Sequence, residues 1–245
     1  MALDEAHYIS AGVEGIPTLR LYSFEPPTVT IGRFQHPESF LDRERCESAG
    51  VDVVRRPTGG LAILHKDDLT YGFTAPLEGG RQGARDRYFQ VVAEGLLQGL
   101  RLLGIEARSA AHEDSERAPG WCLEGEFGVD LSWHSRKICG SAQRISADGV
   151  LQHGSVFLTD SSALMKHISV DGAADRPISP FVALDEAAGR ELGFEEVAHA
   201  IRQGFEAKLG ISFEPAEVGE REARQAARLL GSRYARRPWD PHPVS

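Results

Sequence analysis

Residues 55–65 read Arg-Arg-Pro-Thr-Gly-Gly-Leu-Ala-Ile-Leu-His. An arginine pair, Arg55 and Arg56, leaves one strand-like run; Pro57 and Thr58 shape a turn, and Gly59-Gly60 leads into the next run, which ends at His65. Adjacent glycines let backbone N–H groups approach a ligand without Cβ interference. Two guanidinium groups beside them suit a carboxylate, a phosphate or a pantetheine-type anion. The same residues also make an ordinary hairpin turn with solvated arginines. A second polar stretch runs Arg136-Lys137-Ile138-Cys139-Gly140-Ser141-Ala142-Gln143-Arg144 and is followed by Gly149-Val150-Leu151-Gln152-His153-Gly154-Ser155-Val156-Phe157-Leu158. Polar and small residues sit here inside strand patterns, where packing alone would prefer larger apolar groups. Lys137 among small neighbours suits charge tuning, and equally suits an exposed strand end.

The elements that position these stretches follow from periodicity. Apolar alternation at residues 19–23, 28–31, 51–55, 61–65 and 69–74 predicts strands, as it does at 127–133, 137–145 and 150–158. Residues 1–11 predict a short helix and 38–49 a polar helix ended by Gly50. Phe89, Val92, Ala93, Leu96, Leu97, Leu100 and Leu103 recur at three- and four-residue steps, so 87–103 is a helix stopped by Gly104. Val197, Ala198, Ile201, Phe205 and Leu209 give another helical stripe before Gly210, and residues 220–234 a last helix. Strands first, helices later and one long helix between predict an α+β fold with a mixed or antiparallel central sheet flanked by helices. Residues 1–184 are expected to form the catalytic domain and 185–245 a helical portion packed on it, with 172–178 as a flexible crossing.

Composition bounds the function. The 245 residues are 41% hydrophobic and 26% charged, the balance of a globular protein. A net charge of −9 and a pI near 5.5 exclude a general nucleic-acid binder. No apolar run is long enough to span a membrane, and no secretory signal opens the chain, so a cytoplasmic location is expected. Cys46, Cys122 and Cys139 are odd in number, widely spaced and without a CxxC, which predicts reduced thiols available for chemistry rather than disulfides or zinc.

Taken together, the two polar stretches resemble the lipoate/octanoate branch of the biotin/lipoate protein ligase and transferase superfamily. Residues 55–65 look like its arginine-pair, glycine-rich loop, Lys137 to Gln143 like its lysine-bearing strand, and Leu151-Gln152-His153-Gly154-Ser155 like the partner strand. Met1-Ala2-Leu3-Asp4-Glu5-Ala6 is similar to the family's amino-end helix, and Tyr234 with Trp239-Asp240 to its closing motif. Leu61 and Asp68-Leu69-Thr70-Tyr71 stand nearer the octanoyltransferases than the ATP-dependent ligases, which usually carry a third glycine and an asparagine-rich strand. In the ligase-like transferases a nucleophilic cysteine precedes the lysine strand, and Cys122 occupies that place.

The resemblance implies transfer of octanoyl from octanoyl-acyl carrier protein, through a Cys122 thioester, to the lysine of a lipoyl-domain protein such as the glycine-cleavage H protein. Two steps through an enzyme thioester are easier than one, and Lys137 would favour the Cys122 thiolate. It further implies a substrate site formed by Arg55, Arg56, Thr58, Gly59, Gly60, His65, Gly140, Ser141, Gln143, His153 and Gly154, a tunnel for about eight carbons, no metal or cofactor, and a monomer. Either His65 or His153 is a candidate contact for the acyl carbonyl, or a holder of backbone groups. Cys139 is read as filler and Cys46 as structural. The rival readings are an ATP-dependent lipoate ligase, an amidotransferase between lipoyl domains, and a silent lipoyl-binding protein. Acidic carrier and lipoyl partners call for a basic rim, expected at Arg33, Arg55, Arg56, Arg136 and Arg144.

Overall fold

A computed structural model describes residues 1–111, 120–121, 129–147, 149–171, 181–235 and 238–239. Helix α1 (Ala2–Glu14) is followed by β1 (Thr18–Tyr22), β2 (Thr28–Ile31), α2 (Arg43–Ser48), β3 (Asp52–Arg55), β4 (Ile63–His65) and β5 (Asp68–Ala75). The long α3 (Ala84–Leu102) precedes β6 (Arg108–Ala111), β7 (Val129–Trp133), β8 (Arg136–Ser146) and β9 (Gly149–Phe157). Helices α4 (Ser162–Ile168), α5 (Leu184–Ala188), α6 (Phe194–Leu209) and α7 (Glu220–Leu229) complete the order, the last running into a π-helical turn, Leu230–Tyr234. Among the described residues no helix is long and apolar enough to cross a membrane.

Six strands form an antiparallel sheet in the order β1-β5-β9-β8-β7-β6. A second sheet, β3-β2-β4, is mixed: β2 runs parallel to β3 and antiparallel to β4. The expected α+β class with a mixed or antiparallel sheet is what the chain adopts.

Strand β5 lies between two neighbours and is buried on both faces. Leu69, Tyr71, Phe73 and Ala75 join the apolar core formed with α3 and α6, where Phe73 stacks on Phe205 at 5.8 Å. Asp68, Thr70, Gly72 and Thr74 therefore point to the opposite face, the side taken by α1 and met by His65 of β4. Leu184, Val197, Ile201 and Phe205 share the core with β5, β9 and α3. Helices α3 and α6 cross backbone to backbone: a Cβ on Gly99 would lie 2.7 Å from Ile201 Cα, and one on Gly204 would run into Gly95 and Gly99. Small residues at both sides of a crossing permit that approach.

Two helices depart from the periodicity. The expected helix over 38–49 is a single 3₁₀ turn, Pro37–Ser39, and then α2, which starts only at Arg43. Phe40 and Leu41 turn into a second apolar cluster between them, and Asp42 caps α2 by accepting from Arg45 N–H at 3.0 Å. The helix expected to end at 234 widens to π geometry at Leu230, with Ser232 Oγ bonded back to Arg228 O at 2.7 Å. Strand β6 and the short helices α4 and α5 had no periodic signal of their own.

Candidate active site

The loop after β3 is built around a guanidinium that turns inward. Arg56 is 4% exposed. Its Nη2 donates to Gly59 O (2.8 Å) and Leu61 O (2.7 Å), its Nη1 to Thr30 O (3.0 Å), and its Nε to Thr58 Oγ1 (3.1 Å). Arg56 is thus the internal strut of the Gly59–Gly60 loop and does not stand on a basic rim. A buried charge needs such hydrogen bonds to be tolerated at all. Gly60 is left-handed (φ 86°), and a Cβ there would lie 2.9 Å from Arg56 Nη2. Gly32 backs the loop so closely that a Cβ would overlap the Gly60 carbonyl and lie 3.3 Å from Gly59 C. Arg55 holds the neighbouring turn, donating to Gly32 O (3.1 Å), Gln35 O (2.7 Å) and Pro238 O (2.9 Å).

Two buried histidines stand beside the loop. His153 Nε2 lies 2.6 Å from Thr58 Oγ1, and its Nδ1 faces Asp4 Oδ2 at 3.6 Å, longer than a hydrogen bond. Asp4 also accepts from Arg20 and from Tyr22 Oη (2.6 Å). Burial raises the Asp4 carboxyl, but the facing His153, the amino-terminal charge and the Arg20 charge together outweigh it and hold the group below the usual carboxylate range. Burial lowers His153, against the opposing pull of Asp4. His65 Nε2 meets Thr30 Oγ1 at 2.9 Å and its Nδ1 meets Asp68 Oδ2 at 2.7 Å. Asp68 Oδ2 also accepts from Thr70 (3.1 Å) and Ser155. The ring nitrogens of both histidines face protein groups, so the geometry favours their holding role over a polar contact to substrate.

Arg56, Gly60, His65, Ser141, His153 and Gly154 come together around one cavity of about 40 Å³, with Met1, Thr30, Leu61, Ile63, Thr70 and Ala142. That is room for a few water molecules, well below the roughly 300–1,000 Å³ of common small-ligand sites. Ser141 Oγ is 2.6 Å from Tyr71 Oη. Gly154 permits this packing, since a Cβ would lie 2.8 Å from the Tyr71 ring. Gly140 pairs with Ser155 in the strand register, and Gln143 binds Gln152 at 2.9 Å; neither lines the cavity. Thr58 and Gly59 do not line it.

Lys137 is buried at the start of β8, where its carbonyl accepts from Val182 N–H (2.9 Å), and it is not on the cavity wall. Cys122 lies outside the described residues. Its neighbour in sequence, Trp121, bridges Ala62 in parallel fashion, and Ala62 N–H donates to Gly120 O at 3.1 Å, two residues beyond Gly60. Trp121 itself is core: its Nε1 donates to Ser169 Oγ (3.0 Å) and its ring meets Phe40 edge-on. Cys139 is wholly buried in the main apolar core. Cys46 is buried in the second cluster, and that burial, helped by Asp42 and Glu47, pushes its thiol up to about 11. Of the remaining arginines, Arg136 pairs with Glu186, and Arg144 stands 3.9 Å from Glu5. Among the described residues no three His, Cys, Asp or Glu side chains gather as metal ligands.

Asp4, Gly32, Thr30, Asp68 and Thr70 are site residues that the site prediction did not include. The signals were there in part: Asp4 sits in the amino-end motif, Asp68 and Thr70 in the run after the loop histidine, and Thr30 alternates with Val29 and Ile31 in its strand.

The family model described as the lipoyl protein ligase A/B catalytic domain matches residues 1–206. Octanoyltransferase LipM of Kyrpidia tusciae is 35% identical over 255 residues, covering 98% of this chain and 93% of that protein. Octanoyltransferase LipM of Exiguobacterium sibiricum is 35% identical over 263 residues, covering 98% and 92%. Among solved structures, a lipoate-protein ligase A bound with ATP superposes with a TM-score of 0.82 at 24% identity, covering 97% of this chain and 91% of that one. A bi-partite lipoate protein ligase from Thermoplasma acidophilum gives 0.80 at 24% identity, covering 100% and 92%. These two likenesses are of fold. With the family model spanning most of the chain and relatives above 30% identity along almost all of it, the chain belongs to the lipoyl protein ligase A/B catalytic-domain family.

Proposed function

We propose that this enzyme moves an octanoyl group from octanoyl-acyl carrier protein to the lysine of a lipoyl-domain protein, through a thioester on Cys122. The relatives named octanoyltransferase along nearly the whole chain support the reaction class. The reading of Cys122 is supported by its sequence neighbour Trp121, which bridges Ala62, two residues beyond Gly60, while Ala62 N–H donates to Gly120 O. In the first step the Cys122 thiolate attacks the donor carbonyl, the carbon–sulfur bond to the carrier breaks, and the carrier leaves as its thiol with a proton from the Lys137 ammonium, which becomes the neutral amine. In the second, the acceptor's neutral lysine amine attacks the new thioester and the bond to Cys122 breaks. Lys137 takes the proton from the attacking amine and returns it to the departing sulfur. The Gly59–Gly60 loop supplies backbone N–H groups to the developing oxyanion, an interaction worth most in a water-poor site.

Cys122→Ser tests this reading. Incubation of the wild-type enzyme with octanoyl-acyl carrier protein adds one octanoyl mass, which hydroxylamine removes. In the variant the adduct is absent and transfer falls by roughly 10³-fold or more, the scale of losing a covalent nucleophile. A variant that transfers octanoyl at the wild-type rate overturns the thioester route, and one that works only with ATP and free acid points to ligation.

A further inference from the structure

We propose that Asp4 is a positioning residue of the acyl-transfer site: it fixes the tautomer of His153 and, through Thr58, the orientation of the Arg56 guanidinium that shapes the Gly59–Gly60 loop. The inference rests on the acyl-transfer reading for its rate consequences and on geometry alone for its tautomer.

A guanidinium only donates. Thr58 Oγ1 therefore accepts from Arg56 Nε at 3.1 Å, which leaves it one proton and one lone pair to offer His153 Nε2, 2.6 Å away. The carboxylate on the other side of the ring decides between them: a bare Nδ1 lone pair would repel Asp4 Oδ2, so Nδ1 carries the proton and Nε2 accepts from Thr58. A neutral ring with an accepting Nε2 carries its proton on Nδ1, the nitrogen that faces Asp4 Oδ2 at 3.6 Å. Burial, which disfavours the charged imidazolium, supports the neutral form. Asp4 is fully buried and fixed from behind by Arg20 and Tyr22, so it presents a static negative charge to Nδ1–H. A carboxylate that selects a tautomer this way acts through the ring and touches no substrate.

A second chain ends on the same guanidinium. Asp68 Oδ2 meets His65 Nδ1 at 2.7 Å, His65 Nε2 meets Thr30 Oγ1 at 2.9 Å, and Arg56 Nη1 reaches Thr30 O at 3.0 Å. Two aspartate–histidine–threonine chains thus converge on one arginine, whose remaining contacts draw the carbonyls of Gly59 and Leu61 beneath the loop. Because a trans peptide is planar, turning Gly59 O toward Arg56 turns Gly60 N–H away from it. The orientation of that N–H is therefore set four groups back, at the carboxylate of Asp4.

The test reads the tautomer directly. In protein carrying ¹⁵N-labelled histidine, long-range ¹H–¹⁵N spectra of the wild type, assigned with His153→Gln, show His153 protonated on Nδ1. In Asp4→Asn, whose amide can donate to Nδ1, the proton moves to Nε2. A wild-type His153 protonated on Nε2 overturns the inference whatever the enzyme transfers, and so does an unchanged tautomer in Asp4→Asn. For the link to the loop, Thr58→Val lowers kcat by about 10²-fold, the scale of a 1 Å misplacement, with the donor KM within about twofold. Thr58→Ser recovers most of that loss. A Thr58→Val enzyme with wild-type kcat overturns the coupling. Failure of the Cys122 adduct, by contrast, strikes the thioester reading and leaves the tautomer result standing.

Discussion

Gly72→Ala perturbs the site through one methyl group. Gly72 pairs with His153 on one side and Arg20 on the other, in the second strand of the main sheet. A Cβ there would lie 2.7 Å from Asp4 Oδ1 and 3.2 Å from its Cγ. An ordinary carbon–oxygen contact is at least about 3.3 Å, so the carboxylate must retreat by roughly 0.6 Å. Its bond from Tyr22 Oη is 2.6 Å and its contact to His153 Nδ1 already 3.6 Å, so a shift of that size loosens both. Overpacking of this kind costs about 1–3 kcal/mol, offset by about 0.4–1 kcal/mol from the reduced freedom of alanine in the unfolded chain. For a chain of this length the net is a Tm lower by up to about 8 °C, with the enzyme still folded at 25 °C. Transfer, followed by mass spectrometry under single-turnover conditions, should fall by roughly tenfold or more. A matched control is Gly59→Ala: a Cβ at Gly59 meets no atom of the described residues within 4 Å, so its Tm holds and any lost rate reports how closely substrate approaches the loop. A Gly72→Ala enzyme that is more stable and fully active would refute the fixed position assigned to Asp4.

Two further expectations concern stability. Gly99→Ala pushes a methyl group into the Ile201 backbone at the crossing of α3 and α6 and should cost about 3 kcal/mol or more in urea denaturation, while the folded fraction keeps its rate because the crossing lies on the far face of the sheet from the cavity. The pH dependence follows from His153, whose folded-state pKa is lowered by burial. Below about 6.5 the unfolded chain takes up a proton that the folded chain refuses. Stability contributed by this group is present at pH 7 and above and is lost as pH falls toward 5. His153→Gln should show a smaller difference between denaturation midpoints at pH 7 and pH 5, and an unchanged difference would contradict the burial of a neutral ring.

Much of the fold was legible because it rests on local pattern. The stripe through Phe89, Val92, Leu96 and Leu100 and the one through Val197, Ile201 and Phe205 each bury one face, and glycines end both helices. The Arg55–Gly60 loop announced itself by composition. The polar network behind it did not, because Asp4 reads as a surface carboxylate on a short helix until Arg20, Tyr22 and His153 are brought to it from distant strands. Arg56 was misplaced on the rim for the same reason: its partners are backbone carbonyls, which carry no side-chain signature. Gly32 looks like any turn glycine, and only the closeness of the Gly60 carbonyl explains it. Helix 38–49 was drawn too long because Phe40 and Leu41 enter the second apolar cluster from the connection ahead of α2, which reaches the same cluster only from Cys46 on.

Strand β5 has the strongest claim on the protein's future variation. Its odd-numbered residues fill the apolar core, and its even-numbered residues supply Asp68, Thr70 and Gly72 to the polar network. Slipping it by one position would exchange the two sets entirely, and it is clasped by partners on both edges. Neither face can be diversified alone, since each residue is flanked by two that answer to a different demand. A library meant to vary the cavity lining while keeping the enzyme folded is better placed on Leu61 and Ile63, where, among the described residues, β4 pairs with β2 as its one sheet partner.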